Sequence, residues 1–195
     1  MKGKNLSVVI VSAMVLLSLV LVACASAPLT KSEKEQQQES VRAMVDQTLA
    51  QLYAKNPVAK AEITNAAGYA VFSDFGFKVI WLGGAGGSGL AVNNATKQET
   101  FMKMAEFQPG FGLGAAKFRL VFVFATAQAL NSFVTSGWEA GANAMASAKT
   151  SSQCGAVAGA LTVSSGVKLY QINEEGAIVG VSLTAAKYYK DKELN

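Results

Sequence analysis

The 195-residue sequence contains no histidine, which removes the commonest general base and the commonest metal ligand from any catalytic reading. Cysteine is nearly as scarce. Of the two present, Cys24 ends the N-terminal apolar run and Cys154 stands alone among glycine and alanine, so no intrachain disulfide is expected in the mature form. Cys154 reads as a small buried residue, because nothing electropositive near it would activate a thiol. Charge is sparse too, at 15% of residues. The formal net charge of +4 includes Lys2 and Lys4; without them 15 basic side chains face 13 acidic ones, about +2. That excess is too small for a nucleic-acid ligand, whose binding scales with the phosphates neutralised. An apolar content of 51% excludes a disordered tail, and the length suits one domain with its own core.

What is present begins with an export signal. Met1–Lys4 is a basic n-region, and Leu6–Ala23 is an apolar run without charge. The run ends in Leu21-Val22-Ala23-Cys24, which resembles the bacterial lipobox. That resemblance implies a diacylglyceryl thioether on Cys24, cleavage before it, and acylation of the new amino terminus, palmitate being one such acyl chain. Two or three chains anchor essentially permanently, at about 0.8 kcal/mol per buried CH₂. Ala25-Ser26-Ala27 before Pro28 offers ordinary signal peptidase a competing site, and the run is long enough for an uncleaved anchor. Ala25 is not the aspartate that retains lipoproteins at the inner membrane, so the expected location is the cell envelope, at the outer membrane facing the periplasm.

Residues 1–23 are thus read as signal peptide, 24–30 as lipidated tether and 31–195 as one domain. Ser32-Glu33-Lys34-Glu35 has capping-box form and predicts a helix over 32–55, with Val41, Met44, Val45, Leu49 and Leu52 along one stripe and Thr48 completing it. Pro57 opens a second helix through Ala66, with Gly68 as the stop. From Tyr69 the texture is β-rich. Strands are expected at Tyr69–Asp74, Phe77–Leu82, Ser88–Asn93, Phe101–Phe107, Gly112–Thr126, Ala158–Val163, Lys168–Asn173 and Ala177–Leu183. Phe118–Phe124 is apolar on both faces and reads as a central strand. Thr126 N-caps a short helix over Ala127–Thr135, Gly137–Gly155 fits no element, and Asn173–Gly176 reads as a hairpin turn. The class is α+β: N-terminal helices followed by a strongly curved, mainly antiparallel β-sheet or barrel.

Gly84-Ala85-Gly86-Gly87-Ser88-Gly89 matches a dinucleotide fingerprint, yet the residues after it read as strand and turn, whereas the fingerprint needs a helix to open there. It is taken as a bend or a close backbone approach. Asp74, Glu106 and Glu139 are the acids set among apolar segments and read as capped or paired structural groups; Met102 and Met104 read as core. A hydrolase built on Ser88 or Ser164 would need a base other than histidine.

Four blocks in order, Ala67–Phe72, Gly83–Leu90, Gln108–Ala115 and Leu120–Thr126, followed by Ala127–Phe133 and Gly137-Trp138-Glu139-Ala140-Gly141, resemble the SYLF domain over about Pro57–Leu183. That family occurs in bacterial lipoproteins and in eukaryotic proteins that bind phosphoinositides and actin. The resemblance implies a non-catalytic, lipid-binding domain with no cofactor and no metal, whose partner is membrane lipid. The alternative expectation is a structural or protein-interaction module of the envelope with an envelope protein as partner and no lipid ligand. Lys78, Lys97, Lys103, Lys117 and Arg119 are the head-group candidates. With Cys24→Ser the chain is expected to lose incorporation of a clickable palmitate analogue and its partition into detergent; labelling that persists would refute the lipobox reading.

Overall fold

Two overlapping capping boxes compete at the first helix, Thr30 with Glu33 and Ser32 with Glu35. In the computed structural model, which describes residues 28–140, 160–173 and 185–195, the earlier one closes. Thr30 is extended, its hydroxyl accepts the Glu33 N–H at 3.3 Å, and its own N–H donates to the Glu33 carboxylate at 2.8 Å. The cap is therefore Thr30, not Ser32, because the earlier start keeps backbone bonds such as Lys34 N–H to the Thr30 carbonyl at 2.9 Å. Helix α1 spans Lys31–Lys55 and buries Val41, Val45, Thr48, Leu49 and Leu52.

Helix α2, Pro57–Asn65, starts on its proline as expected but is not stopped by Gly68. Its last carbonyls are taken from a distance: the Asn94 amide donates to Ile63 at 2.7 Å and to Ala66 at 2.9 Å. Gly68 instead begins strand β1.

The spacing predicts five strands between Tyr69 and Thr126; the structure has two, β1 at Gly68–Asn93 and β2 at Glu99–Phe124, joined in a 26-residue antiparallel ribbon. The glycines do not break it because each keeps a partner: Gly83 faces Gln108, Gly84 faces Phe107 and Gly87 faces Met104. A straight strand of this length would reach about 85 Å at ~3.3 Å per residue. The ribbon folds back instead. Its register shifts once, between Ile80 and Leu82 and opposite Pro109–Gly112, and such bulges bend a strand. At the closure Gly68 lies on the Val92 carbonyl and the Leu130 side chain, and Gly89 lies on the Val71 carbonyl and the Phe72 ring. A Cβ at either position would overlap these atoms, so glycine is required for close approach.

The remaining elements follow this ribbon. Helix α3 spans Ala127–Ser136, with the Thr126 hydroxyl accepting the Ala129 N–H at 3.2 Å as expected. Strands β3 (Trp138–Ala140), β4 (Ala160–Ser164), β5 (Val167–Asn173) and β6 (Ala185–Lys190) complete an antiparallel sheet of six described strands, ordered β3-β6-β2-β5-β4 with β1 on the other edge of β2. Strand β5 pairs with Phe118–Phe124 and β6 with Met102–Phe107. Strands β3 and β6 were not predicted. β6 buries Ala186 and Tyr188 on either side of Lys187. The signal and Cys24, Cys154, the Ala177–Leu183 strand and the turn after Asn173 lie outside the described residues. The fold is α+β with a curved antiparallel sheet.

Strand alternation sorts the core into two layers. Ala70, Phe72, Leu120, Phe122, Phe124, Leu169 and Tyr188 face α3, whereas Val71, Val121, Val123, Tyr170 and Ile172 face α1 and α2. Phe118–Phe124 is thus central, as its sequence indicates, and Met102 and Met104 are buried. Phe72 meets Phe122, Phe133 and Tyr188 edge-on with centroids 4.9–6.1 Å apart. The C-terminus ties α1 to β2: Lys34 Nζ donates to the Asn195 carbonyl at 2.8 Å, and the Asn195 amide donates to the Phe101 carbonyl at 2.8 Å.

Gly89→Ala is expected to destabilise the fold by about 1–3 kcal/mol or more, since the added methyl overpacks a filled site. Gly86→Ala, whose methyl would meet only the Met104 carbonyl oxygen at 3.9 Å, is expected to be neutral or slightly stabilising. Urea midpoints of the two variants test the closure; equal midpoints would refute it.

Candidate functional site

Cations are the natural starting point in a chain without histidine, and the five head-group candidates do not converge. Lys103 lies between Asp191 at 3.4 Å and Glu193 at 2.9 Å; its ammonium is held protonated above the usual lysine range, chiefly by the hydrogen bond to Glu193. Arg119 donates to the Thr48 hydroxyl at 3.1 Å and to the Gln47 side-chain carbonyl at 3.0 Å, fastening β2 to α1. Lys97 is exposed in the turn between β1 and β2, with φ of 60°. Lys78 faces Gly114 and Lys117 faces Phe75, which puts the two lysines on opposite faces of the ribbon.

The acids are scattered likewise. Asp74 is registered opposite Phe118, Glu106 opposite Ala85 and Ala186, and Glu139 opposite Lys187. Ser88 is exposed and sits across from Lys103, the one serine and lysine that the ribbon makes neighbours. That lysine is stabilised in its charged form, the opposite of what a general base requires. Ser164 is exposed at the end of β4. No group of three metal-ligating side chains occurs among the described residues. The glycine block Gly84–Gly89 runs on as strand through Asn93, so no helix opens after it and its close backbone approach is realised at Gly89.

One polar cluster escapes the sequence reading. The Glu62 carboxylate on α2 accepts from Lys168 Nζ at 2.7 Å and from the Tyr170 hydroxyl at 2.7 Å, both on β5. Burial raises the Glu62 pKa, but the Lys168 and Tyr170 hydrogen bonds and the Lys168 charge outweigh it, so it lies below the usual carboxylate range. Tyr170 moves upward, first through burial and then through Glu62. The partners are 106 and 108 residues apart in sequence, so no local spacing announces them.

Two concavities flank the turn between β4 and β5. One, of about 300 Å³, is walled by Glu62, Asn65, Thr162 and Lys168. The other, of about 440 Å³, lies between α3 and the turn and has an uncharged lining that includes Trp138, Ser132 and Ser165. The central part of the ribbon forms a third feature. Phe75, Phe77 and Val79 share one face with Leu113, Ala115 and Lys117, while Gly76, Lys78 and Ile80 share the other with Gly112, Gly114 and Ala116. Among the described residues no further strand pairs with 108–117 of β2.

The lowered Glu62 pKa makes a signed prediction. Its contribution to stability is present above the unfolded-state pKa of about 4.3 and fades as pH falls through the lower folded-state value. Glu62→Gln is therefore expected to lower stability at neutral pH and flatten the acid limb of the stability–pH curve. Parallel acid limbs for the variant and the wild type would remove the assignment.

No family model matches the chain. The chain is similar to Beta cell expansion factor A of Aeromonas veronii, with 34% identity over 161 residues, 80% of this chain and 58% of that protein, so it spans less than two thirds of the length of the curated relative it matches.

Proposed function

We propose that the chain is an envelope lipoprotein, lipidated at Cys24, whose domain is a non-catalytic SYLF-like module that binds membrane lipid. The lipobox and the ordered glycine and aromatic blocks support the anchor and the family; Ala25 supports the outer membrane. One structural observation carries the lipid reading: the central stretch of the ribbon, with Phe75, Phe77, Val79, Leu113 and Ala115 registered on one face. No acidic residue occurs from Phe75 to Gln98 or from Phe107 to Trp138, whereas Lys78, Lys97, Lys117 and Arg119 fall within those stretches. Apolar and aromatic residues with cations and no acids suit a bilayer whose surface is anionic. Trp81 at the bulge is of the type that favours the membrane–water boundary. Among the described residues no helix is long and apolar enough to cross a membrane; the engagement proposed is at the surface, through the ribbon.

Because the acyl anchor alone would hold the protein at a membrane, the test uses the mature chain starting at Ala25, without the anchor. It is expected to sediment with phosphatidylethanolamine–phosphatidylglycerol vesicles at low ionic strength. Replacing Lys117, the lysine registered on that face, by glutamate is expected to weaken binding by about fivefold or more, from ~1 kcal/mol for a lysine lost at an anionic surface. Failure of the unlipidated chain to sediment with any anionic vesicle, or equal sedimentation of the Lys117→Glu variant, would sink the proposal.

A further inference from the structure

The uncharged concavity between α3 and the β4–β5 turn has no part in the membrane reading. Its floor is apolar and partly aromatic, made by Phe124, Phe133, Val167 and Trp138. Trp138 is half-buried and fixed in place, its ring edge-on to Phe122 at 5.6 Å and tilted against Tyr188 at 5.7 Å. The rim is polar, carrying Thr126, Gln128, Ser132, Ser164 and Ser165. Among the described residues no ionisable side chain lines the cavity. The Thr126 hydroxyl caps α3, while the side chains of Gln128, Ser132, Ser164 and Ser165 make no hydrogen bond among the described residues.

This combination selects a ligand class. A charged ligand would give up its hydration without meeting an opposite charge, which disfavours phosphate, carboxylate and ammonium groups. A plain hydrocarbon would cover the rim hydroxyls and the amide without replacing their hydrogen bonds to water. A neutral ring with one C–H face and a hydroxylated edge satisfies both parts: the C–H face lies on the aromatic floor and the hydroxyls bond the rim. The volume of about 440 Å³ falls within the range of small-molecule sites, about 300–1,000 Å³. The rim residues are exposed and sit on an anchored element and a short turn, so a saccharide in a longer chain can enter from solvent.

We propose that this cavity is a binding site for a neutral pyranose unit, with Trp138 as part of its floor and Gln128, Ser132 and Ser165 as hydrogen-bonding partners. The site is independent of lipid binding. It would place a saccharide-recognising surface on the same domain that the acyl chains tether.

The test uses the full mature chain with Trp81→Phe, which leaves Trp138 the single tryptophan. Titration with the trisaccharide of N-acetylglucosamine and, separately, with maltotriose is read by Trp138 emission. A saturable change with at least one of them is expected, insensitive to ionic strength because no described residue brings a charge to the cavity. Gln128→Leu combined with Ser132→Leu is expected to weaken that binding by about tenfold or more, with the thermal midpoint unchanged and, in the chain that keeps Trp81, the vesicle binding unchanged. Absence of a saturable response to both sugars in a folded chain would overturn the proposal. So would a response that survives the double variant, or decanoate binding in place of either sugar.

Discussion

The structure depends on the contact of a ribbon with itself. Two strands of 26 residues are too long for a domain of this size unless they double back, and the doubling closes where Gly89 meets Val71 and Phe72 and where Gly68 meets Val92. The empty space of Gly89 is what the Phe72 ring occupies. Phe72 then serves as the hub for Phe122, Phe133 and Tyr188, which belong to three different elements. The same closure brings Asn94 over the end of α2, so the helix is capped by a turn 28 to 31 residues away in sequence. Any side chain at Gly89 would act on the ribbon, the aromatic hub and the helix cap together.

With the ribbon closed, both faces of β2 from Leu120 to Phe124 are committed to packing. Burying a large apolar side chain contributes about 1.5–3 kcal/mol, and Leu120 through Phe124 are all buried, alternately under α3 and under α1 with α2. The interior described here is filled with rings, and recognition is left to the periphery: the middle of the ribbon and the concavities beside the β4–β5 turn. The ribbon and the cavity beside Trp138 differ in chemistry, the first apolar with cations and the second aromatic with neutral polar groups. The proposed lipid and saccharide interactions therefore draw on different residues.

Several cations fasten elements, among them two of the head-group candidates, Lys103 and Arg119. Lys103 is held by the C-terminal Asp191 and Glu193, Lys168 by Glu62, and Arg42 by Glu99 at 2.8 Å, while Arg119 bonds two side chains of α1. Exposed ion pairs of this kind contribute little singly, about 0–1 kcal/mol. Their effect here is positional: each connects residues distant in sequence, and together they set how α1, α2 and the C-terminus lie on the sheet. Lys97 remains exposed at the turn of the ribbon, and Lys78 and Lys117 are assigned by register to its central stretch.

The sequence by itself determined whatever depends on local spacing: the stripe of α1, the proline start of α2, the Thr126 cap of α3, the doubly buried Phe118–Phe124 segment, the α+β class, and the rejection of a dinucleotide loop at Gly84–Gly89. It misplaced what local signals leave degenerate. Thr30 and Ser32 both offered capping boxes, and glycines that could end a strand instead continued one because a partner strand satisfied their backbone. Tertiary structure alone decided the doubling of the ribbon, the Asn94 cap, the Glu62–Lys168–Tyr170 cluster and the neutral cavity beside Trp138. Each of these joins groups separated by tens of residues or more, and its energy depends on distances that exist only after the chain has closed.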